Sequence, residues 1–229
     1  MQILPTITTI TPGQWRQKLK EIKELKLKEV AVFPTCLDEK ERKELFSLLE
    51  ETDIKRIPLV HLRSDMALSE LDYLVRVFKT EAFNIHTGRE YPPLKDYGSY
   101  RKIIYIENTF EPFDEDEIKE FGGICLDFAH LENDRLFRKE VYKHNIKIIE
   151  KYPRGCNHIS GSKDFVFLNK GSHYRDSAHP HFLKSLSELD YLQRYPLNYF
   201  STLIALELEN TITEQLKTKE YLTAMFNVL

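Results

Sequence analysis

The sequence predicts an α/β fold: a (β/α)8 TIM barrel forming a single compact domain over residues 1–229. Three observations predict it. Eight short apolar runs punctuate the chain, at 3–10, 30–33, 57–61, 82–86, 103–107, 124–127, 155–159 and 203–207. Amphipathic segments with helical spacing lie between most of them, so strand and helix alternate as a parallel sheet requires. The third to eighth runs also finish in ligand-type side chains: His61, His86, Glu107, Asp127, His158 and Glu207. A barrel strand has a dry interior and opens at its carboxyl end on the site of chemistry, which produces this ending. An open doubly wound sheet is the main competitor, but no Gly-rich phosphate fingerprint follows any run.

The elements follow in order. Thr11 and Pro12 are placed to open a first helix, in which Trp15, Leu19, Ile22 and Leu25 recur at helical spacing. A second helix is expected over 38–49. A third spans 69–79, with Leu71, Leu74, Val75 and Phe78 as its stripe. Gly88, Pro92, Pro93 and Gly98 leave the 87–101 connection room for only a turn or so of helix, and 113–121 reads as a short acidic helix. The barrel is therefore expected to have short fourth and fifth helices. Longer ones are expected at 131–151, 181–194 and 212–226. No composition break or linker divides the chain.

A hydrophobic share of 41% supports a substantial core, and 30% charged residues suits a solvated surface. Net charge is −3 and the isoelectric point about 6.3, so nothing marks the whole molecule as a nucleic-acid or membrane binder, which counts modestly against a DNA-processing role. No apolar run approaches the roughly 20 residues of a membrane span, and the amino terminus lacks the pattern of a secretion signal. Cys36, Cys125 and Cys156 are odd in number, widely spaced and without a CxxC, so a reducing, cytoplasmic setting is expected. Pairing of chains through a barrel face is compatible with all of this.

Side chains two apart on a strand share a face. Leu59, Asn84, Tyr105, Cys125, Cys156 and Ala205 should therefore lie one layer beneath the polar residues, inside the barrel. The six polar residues would then ring the mouth. Carboxylates and imidazoles converging on a dry mouth repel or strand one another unless a cation holds them, so a divalent metal is the economical reading. Three carboxylates with one imidazole suit manganese or magnesium, and each added imidazole moves the preference towards zinc. Glu209, two beyond Glu207, competes for the last ligand role. Arg63, Arg89, Lys163 and Arg175 fall in loops after strand ends and would suit an anionic substrate. Tyr91, Tyr97 and Tyr100 could wall a pocket or cover the barrel end where a helix is missing. Cys125 and Cys156 read as packing thiols, and His144 as a surface residue.

The IEN at 106–108, DFAH at 127–130, NHISGSK at 157–163 and ALELEN at 205–210 together resemble the xylose isomerase-like barrel superfamily. That superfamily holds sugar isomerases and epimerases as well as abasic-site endonucleases, and the resemblance runs from about residue 55 to 210. It implies that Glu107, Asp127, His158 and Glu207 form a shared metal tetrad. It further matches His61, His86, His130 and the DSAH containing Asp176 and His179 to positions where the endonucleases hold additional zinc ions. Two departures stand out. Asp176 and His179 are one residue further apart than the endonuclease pattern, with His173 and His181 flanking as alternatives. The chain is also short of room for inserts that grip DNA.

Two chemistries fit this resemblance. The first is a metal-dependent isomerase or epimerase of a small, anionic carbohydrate, with Glu107 and Glu207 moving a proton beside a carbonyl. The alternative is a multi-zinc phosphodiesterase, the one reading with a nucleic-acid partner. A barrel that binds a ligand without turning it over is a third possibility.

Overall fold

The computed structural model describes residues 1–162 and 181–228. Its strands are β1 (Gln2–Leu4), β2 (Thr6–Thr8), β3 (Ala31–Phe33), β4 (Leu59–His61), β5 (Ala82–His86), β6 (Ile104–Glu107), β7 (Ile124–Asp127), β8 (Arg154–Ile159) and β9 (Leu203–Leu206). Each pairs parallel with its neighbours, in the order β1-β9-β8-β7-β6-β5-β4-β3-β2. β1 and β2 are halves of one stretch, parted at Pro5, whose ring leaves no N–H to donate. The Pro5 carbonyl still accepts from the Ala31 amide at 2.9 Å. With β1 on β9 and β2 on β3, the sheet closes into an eight-stranded parallel barrel, as the sequence predicts.

The outer layer follows the predicted order with three differences. Helix α1 runs Gln14–Glu24 and starts after Gly13, whose φ of 75° only glycine adopts freely. Thr11 does not cap it: Gly13 holds the N-cap position without a side-chain bond, and the Thr11 amide donates to Glu209 Oε2 at 3.0 Å. Helix α2 (Glu39–Glu50) begins with a capping box between Asp38 and Glu41, and α3 covers Leu68–Phe78. The fourth connection holds a 3₁₀ turn at Gly98–Ile103, and α4 is the six-residue Glu115–Glu120, so the short fourth and fifth helices are present.

The single long helix expected at 131–151 is instead two, α5 (Phe128–Phe137) and α6 (Lys139–Lys151). Asp127 caps α5 directly from the strand end. Arg138 then leaves helical geometry at φ −133°, ψ 60°, and its guanidinium binds Asp134 and the carbonyls of Thr109 and Phe110. The 181–194 segment holds a 3₁₀ helix over Leu186–Arg194, capped by Ser185. Helix α7 (Ile212–Phe226) closes the described chain behind a Thr211–Glu214 capping box.

Two apolar cores result. The larger lies between sheet and helices, where Trp15, Ile22, Leu45, Leu74 and Leu222 pack on outward-facing strand residues such as Val32, Phe83 and Ile204. The smaller fills the barrel: Leu4, Ala31, Phe33, Leu59, Ala82, Cys125, Cys156, Leu203 and Ala205, with Tyr105 packed against it. The layer expected beneath the polar ring is therefore in place. Tyr105 reaches across the interior to Gly155, where a Cβ would stand 2.0 Å from its ring.

Gly155→Ala should therefore destabilise the fold by about 1–3 kcal/mol through overpacking. The loss should largely disappear in a Tyr105→Leu background. Urea unfolding midpoints of the four proteins measure this coupling, and additive losses would contradict it.

Candidate metal centre and pocket

Each functional side chain sits where an apolar strand runs out. Glu107 ends β6 and is 2% exposed. Asn84 donates to its Oε2 at 2.7 Å, and His61 Nε2 stands 3.1 Å from the same oxygen. On its other side, His158 Nδ1 lies 3.4 Å from Glu107 Oε1 and 3.5 Å from Glu207 Oε2. Asp127 ends β7 in register with His158, and its Oδ1 accepts from the His130 amide at 2.7 Å. One oxygen of Asp127 thus starts α5 while the other faces the cluster.

Asparagines inside the motifs supply the local framework. Asn108, directly after Glu107, exchanges two hydrogen bonds with the Asp127 backbone at 2.7 and 2.8 Å, locking β6 to β7 beyond the last strand pair. Asn157, beside His158, bridges the Leu126 and Tyr199 carbonyls and accepts from the Ser201 amide. Asn210 closes a reciprocal pair with the Leu183 backbone. Each satisfies backbone groups that a strand end would leave bare.

One ligand-type atom from each of Glu107, Asp127, His158 and Glu207 lies within 4.8 Å of the others. His61, His86 and Glu107 form a second such group, and Glu107, Cys125 and His158 a third. The electrostatics are those of a crowded dry site. Burial would raise the Glu107 carboxyl, but the imidazoles of His158 and His61 outweigh it and hold it well below the usual range. Burial likewise opposes ionisation of Glu207, and His181 and His158 reverse that. Asp127 goes the other way: burial, then the charges of Glu207 and Glu107, lift it well above its ordinary value. His158 is pulled up by Glu107 and Glu207 against its own burial. Burial lowers His86 and His130 to about 4.

The residues fit a divalent cation on a separate observation. Asp127 Oδ2, Glu207 Oε2 and both ring nitrogens of His158 are buried without a hydrogen-bond partner. Buried polar atoms are rarely left so, and the two carboxylate oxygens with one of the two ring nitrogens suit ligation of one ion.

A cavity of about 420 Å³ opens above the cluster. Ile10, Leu62, Ile85, Tyr91 and Phe110 form apolar wall, and Glu107 and Glu207 are its lining carboxylates, with His61, His86, His130 and His181 around them. His181 Nδ1 stands 3.9 Å from Glu207 Oε1. Among the three loop histidines it is the one the description reaches; His173 and His179, with Lys163, Arg175 and Asp176, lie outside the described residues.

Arg63 lines the cavity while bonding Asp65 and the Thr35 carbonyl. Arg89 instead pairs with Asp114 at 2.7 Å, away from the described lining. Glu209 does not compete with Glu207: it bonds Thr8 and the Thr11 amide, and it belongs to none of the ligand groups among the described residues. Of the three tyrosines, Tyr91 faces the cavity, Tyr97 is buried, and Tyr100 bonds Asp72 outside.

Sequence reasoning missed two contributors. Phe33 packs its ring 4.5 Å from that of His158, and Asn84 orients Glu107. Asn84 stands two before His86 on the same strand face, and a buried amide at that spacing was the available signal.

No family model matches the chain, and no curated protein matches it. Among solved structures it is similar to the probable 3-DHS dehydratase AsbF from Bacillus anthracis, involved in petrobactin synthesis. That likeness has 11% identity over 96% of this chain and 98% of that one, with a TM-score of 0.49. It is also similar to an uncharacterized protein from Parabacteroides distasonis, at 15% identity over 97% and 98%, with a TM-score of 0.45. At these identities the chemistry of the site rests on its own residues.

His130 gives a pH signature in chelator-treated protein. Its folded value of about 4 lies below an unfolded value of about 6.5, so between these the unfolded chain binds more protons. Stability should therefore fall as pH drops through that window. His130→Gln should remove up to about 3 kcal/mol of this loss between pH 7 and 4. Parallel stability curves for the two proteins would overturn the assignment.

Proposed function

We propose that the protein is a divalent-metal-dependent isomerase or epimerase of a small carbohydrate or sugar phosphate, acting by proton transfer beside a carbonyl. One observation carries this reading: among the described residues, Glu107 and Glu207 are the carboxylates lining a cavity of about 420 Å³, while Asp127 and His158 lie beneath. The volume falls in the range of small-molecule sites, roughly 300–1,000 Å³.

Glu107, Asp127, His158 and Glu207 would hold the ion, manganese, magnesium or zinc. When bound, it supplies Lewis acidity towards a substrate carbonyl. The protein's own groups do the rest. Glu107 on β6 and Glu207 beyond β9 approach the cavity from different sides, so one can remove a proton that the other returns. Asn84 and His61 fix the Glu107 carboxylate, and His181 stands beside Glu207. The apolar wall of Ile85, Tyr91 and Phe110 limits water at the reacting carbon. Arg63 at the rim suits an anionic substituent. No described helix is long and apolar enough to cross a membrane, and the three cysteines are free, in keeping with the cytoplasmic setting proposed here.

A second reading has its own support. His61, His86 and Glu107 form a ligand group that shares Glu107 with the first, as a bridging carboxylate does in two-metal sites. That arrangement favours metal-assisted phosphoester hydrolysis with zinc.

Two experiments decide. With manganese bound, Glu107→Gln and Glu207→Gln should each slow exchange of a substrate's α-proton with solvent deuterium by about 100-fold or more. Exchange at the wild-type rate in either variant would refute the proton-transfer roles. Elemental analysis should find about one ion per chain under the first reading. Two or three zinc ions per chain, reduced by His86→Ala together with phosphoesterase activity, would replace it with the second.

A further inference from the structure

The third ligand group contains a residue with no part in either mechanism, Cys125. Cys125 lies on β7 in register with Glu107 on β6 and with Cys156 on β8, one layer inside the Asp127–His158 pair. It is fully buried, and its Sγ lies within 4.8 Å of ligand atoms of both Glu107 and His158. Ligand atoms of one tetrahedral zinc-like ion stand about 3.3–3.7 Å apart, so side-chain shifts of about an ångström would bring the three onto a common ion.

We infer that the centre has two alternative metal seats at different depths. The upper seat is Glu107, Asp127, His158 and Glu207, all oxygen and nitrogen. The lower seat is Glu107, Cys125 and His158 and takes thiophilic divalent ions such as zinc or cadmium. Softness separates them: thiolate sulfur selects zinc-like ions, whereas carboxylate-rich sets suit manganese and magnesium. Glu107 and His158 belong to both groups, so one ion excludes the other. An ion in the lower seat leaves Asp127 and Glu207 behind and moves away from the cavity that Glu207 lines. Thiophilic ions are therefore competitive blockers of manganese loading. Binding converts the Cys125 thiol to a thiolate–metal bond with one proton released to solvent, and nothing is oxidised or reduced.

The inference takes the upper seat from the function proposed above, and the test separates the two. Chelator-treated full-length protein is titrated with cadmium, following the ultraviolet thiolate-to-cadmium absorption and, in wild type, the cadmium nuclear resonance. Wild type should show the band saturating at one equivalent, a resonance in the thiolate range, and weakened manganese binding. Cys36→Ser and Cys156→Ser should keep the band. Cys125→Ser should lose it, with cadmium bound about tenfold or more weakly and manganese affinity within about twofold of wild type. Cys125→Ala repeats the test should serine unfold the interior. A wild-type resonance in the oxygen–nitrogen range, or a band that survives in both Cys125 variants, overturns the lower seat. Wild-type protein that shows the band but binds no manganese overturns the upper seat and leaves the lower one standing.

Discussion

Everything at the barrel mouth depends on the buried carboxylate of Glu107. It is reached by Asn84, His61 and His158, and it belongs to all three ligand groups. Two like charges about 4 Å apart repel by about 4 kcal/mol even at an effective dielectric of 20. Three carboxylates cannot all ionise in such a space without a counter-charge. The molecule's response is electrostatic: imidazoles hold Glu107 and Glu207 below the usual carboxylate range, and Asp127 is pushed well above it. A cation in the same place would balance the carboxylate charge and give Asp127 Oδ2, Glu207 Oε2 and one ring nitrogen of His158 a partner. Such a site is costly to fold, and the two apolar cores above and below the sheet offset it.

How much of this could be read from the chain follows from which signals are local. Strand positions and polar ends were legible, because a closed barrel makes its strands dry and the dryness stops abruptly at the mouth. The interior layer followed from two-residue alternation, down to Cys125, Cys156 and Ala205. Alternation fails once the strand stops, which is why Glu209 looked like a rival to Glu207. The Leu208 amide folds back onto the Leu206 carbonyl at 2.9 Å, a tight turn that carries Glu209 to Thr8 and Thr11 instead. The break between α5 and α6 was equally hidden. The helical stripe runs on through it, and the cause is tertiary: the Arg138 side chain satisfies carbonyls of the β6 loop.

The asparagines show how a motif divides its labour. In IEN and NHIS the charged or imidazole residue points to the mouth, while its neighbouring asparagine spends both ends of its amide on adjacent backbone. A carboxylate there could not donate and a lysine could not accept, whereas an amide serves both roles from two separate atoms. The spacing of the motif thus encodes ligand and scaffold together. Glutamine would put the amide one methylene too far to sit in the same groove.

The same logic extends to the seam where the barrel closes. Lys18 is buried, donates to Thr8 Oγ1 at 2.6 Å and to the Leu208 carbonyl at 2.7 Å, and is lowered to about 8 by burial despite Glu209 and Glu21. Glu209 accepts from Thr8 and Thr11, and its own amide donates to the His181 carbonyl at 2.6 Å. With Asn210 clasping Leu183, the His181 segment is fixed to the strand that carries Glu207. The residue that seemed a rival ligand therefore acts as an anchor. By diverting its charge to a buried lysine, it ties the first and last strands together and holds an imidazole against the pocket's second carboxylate.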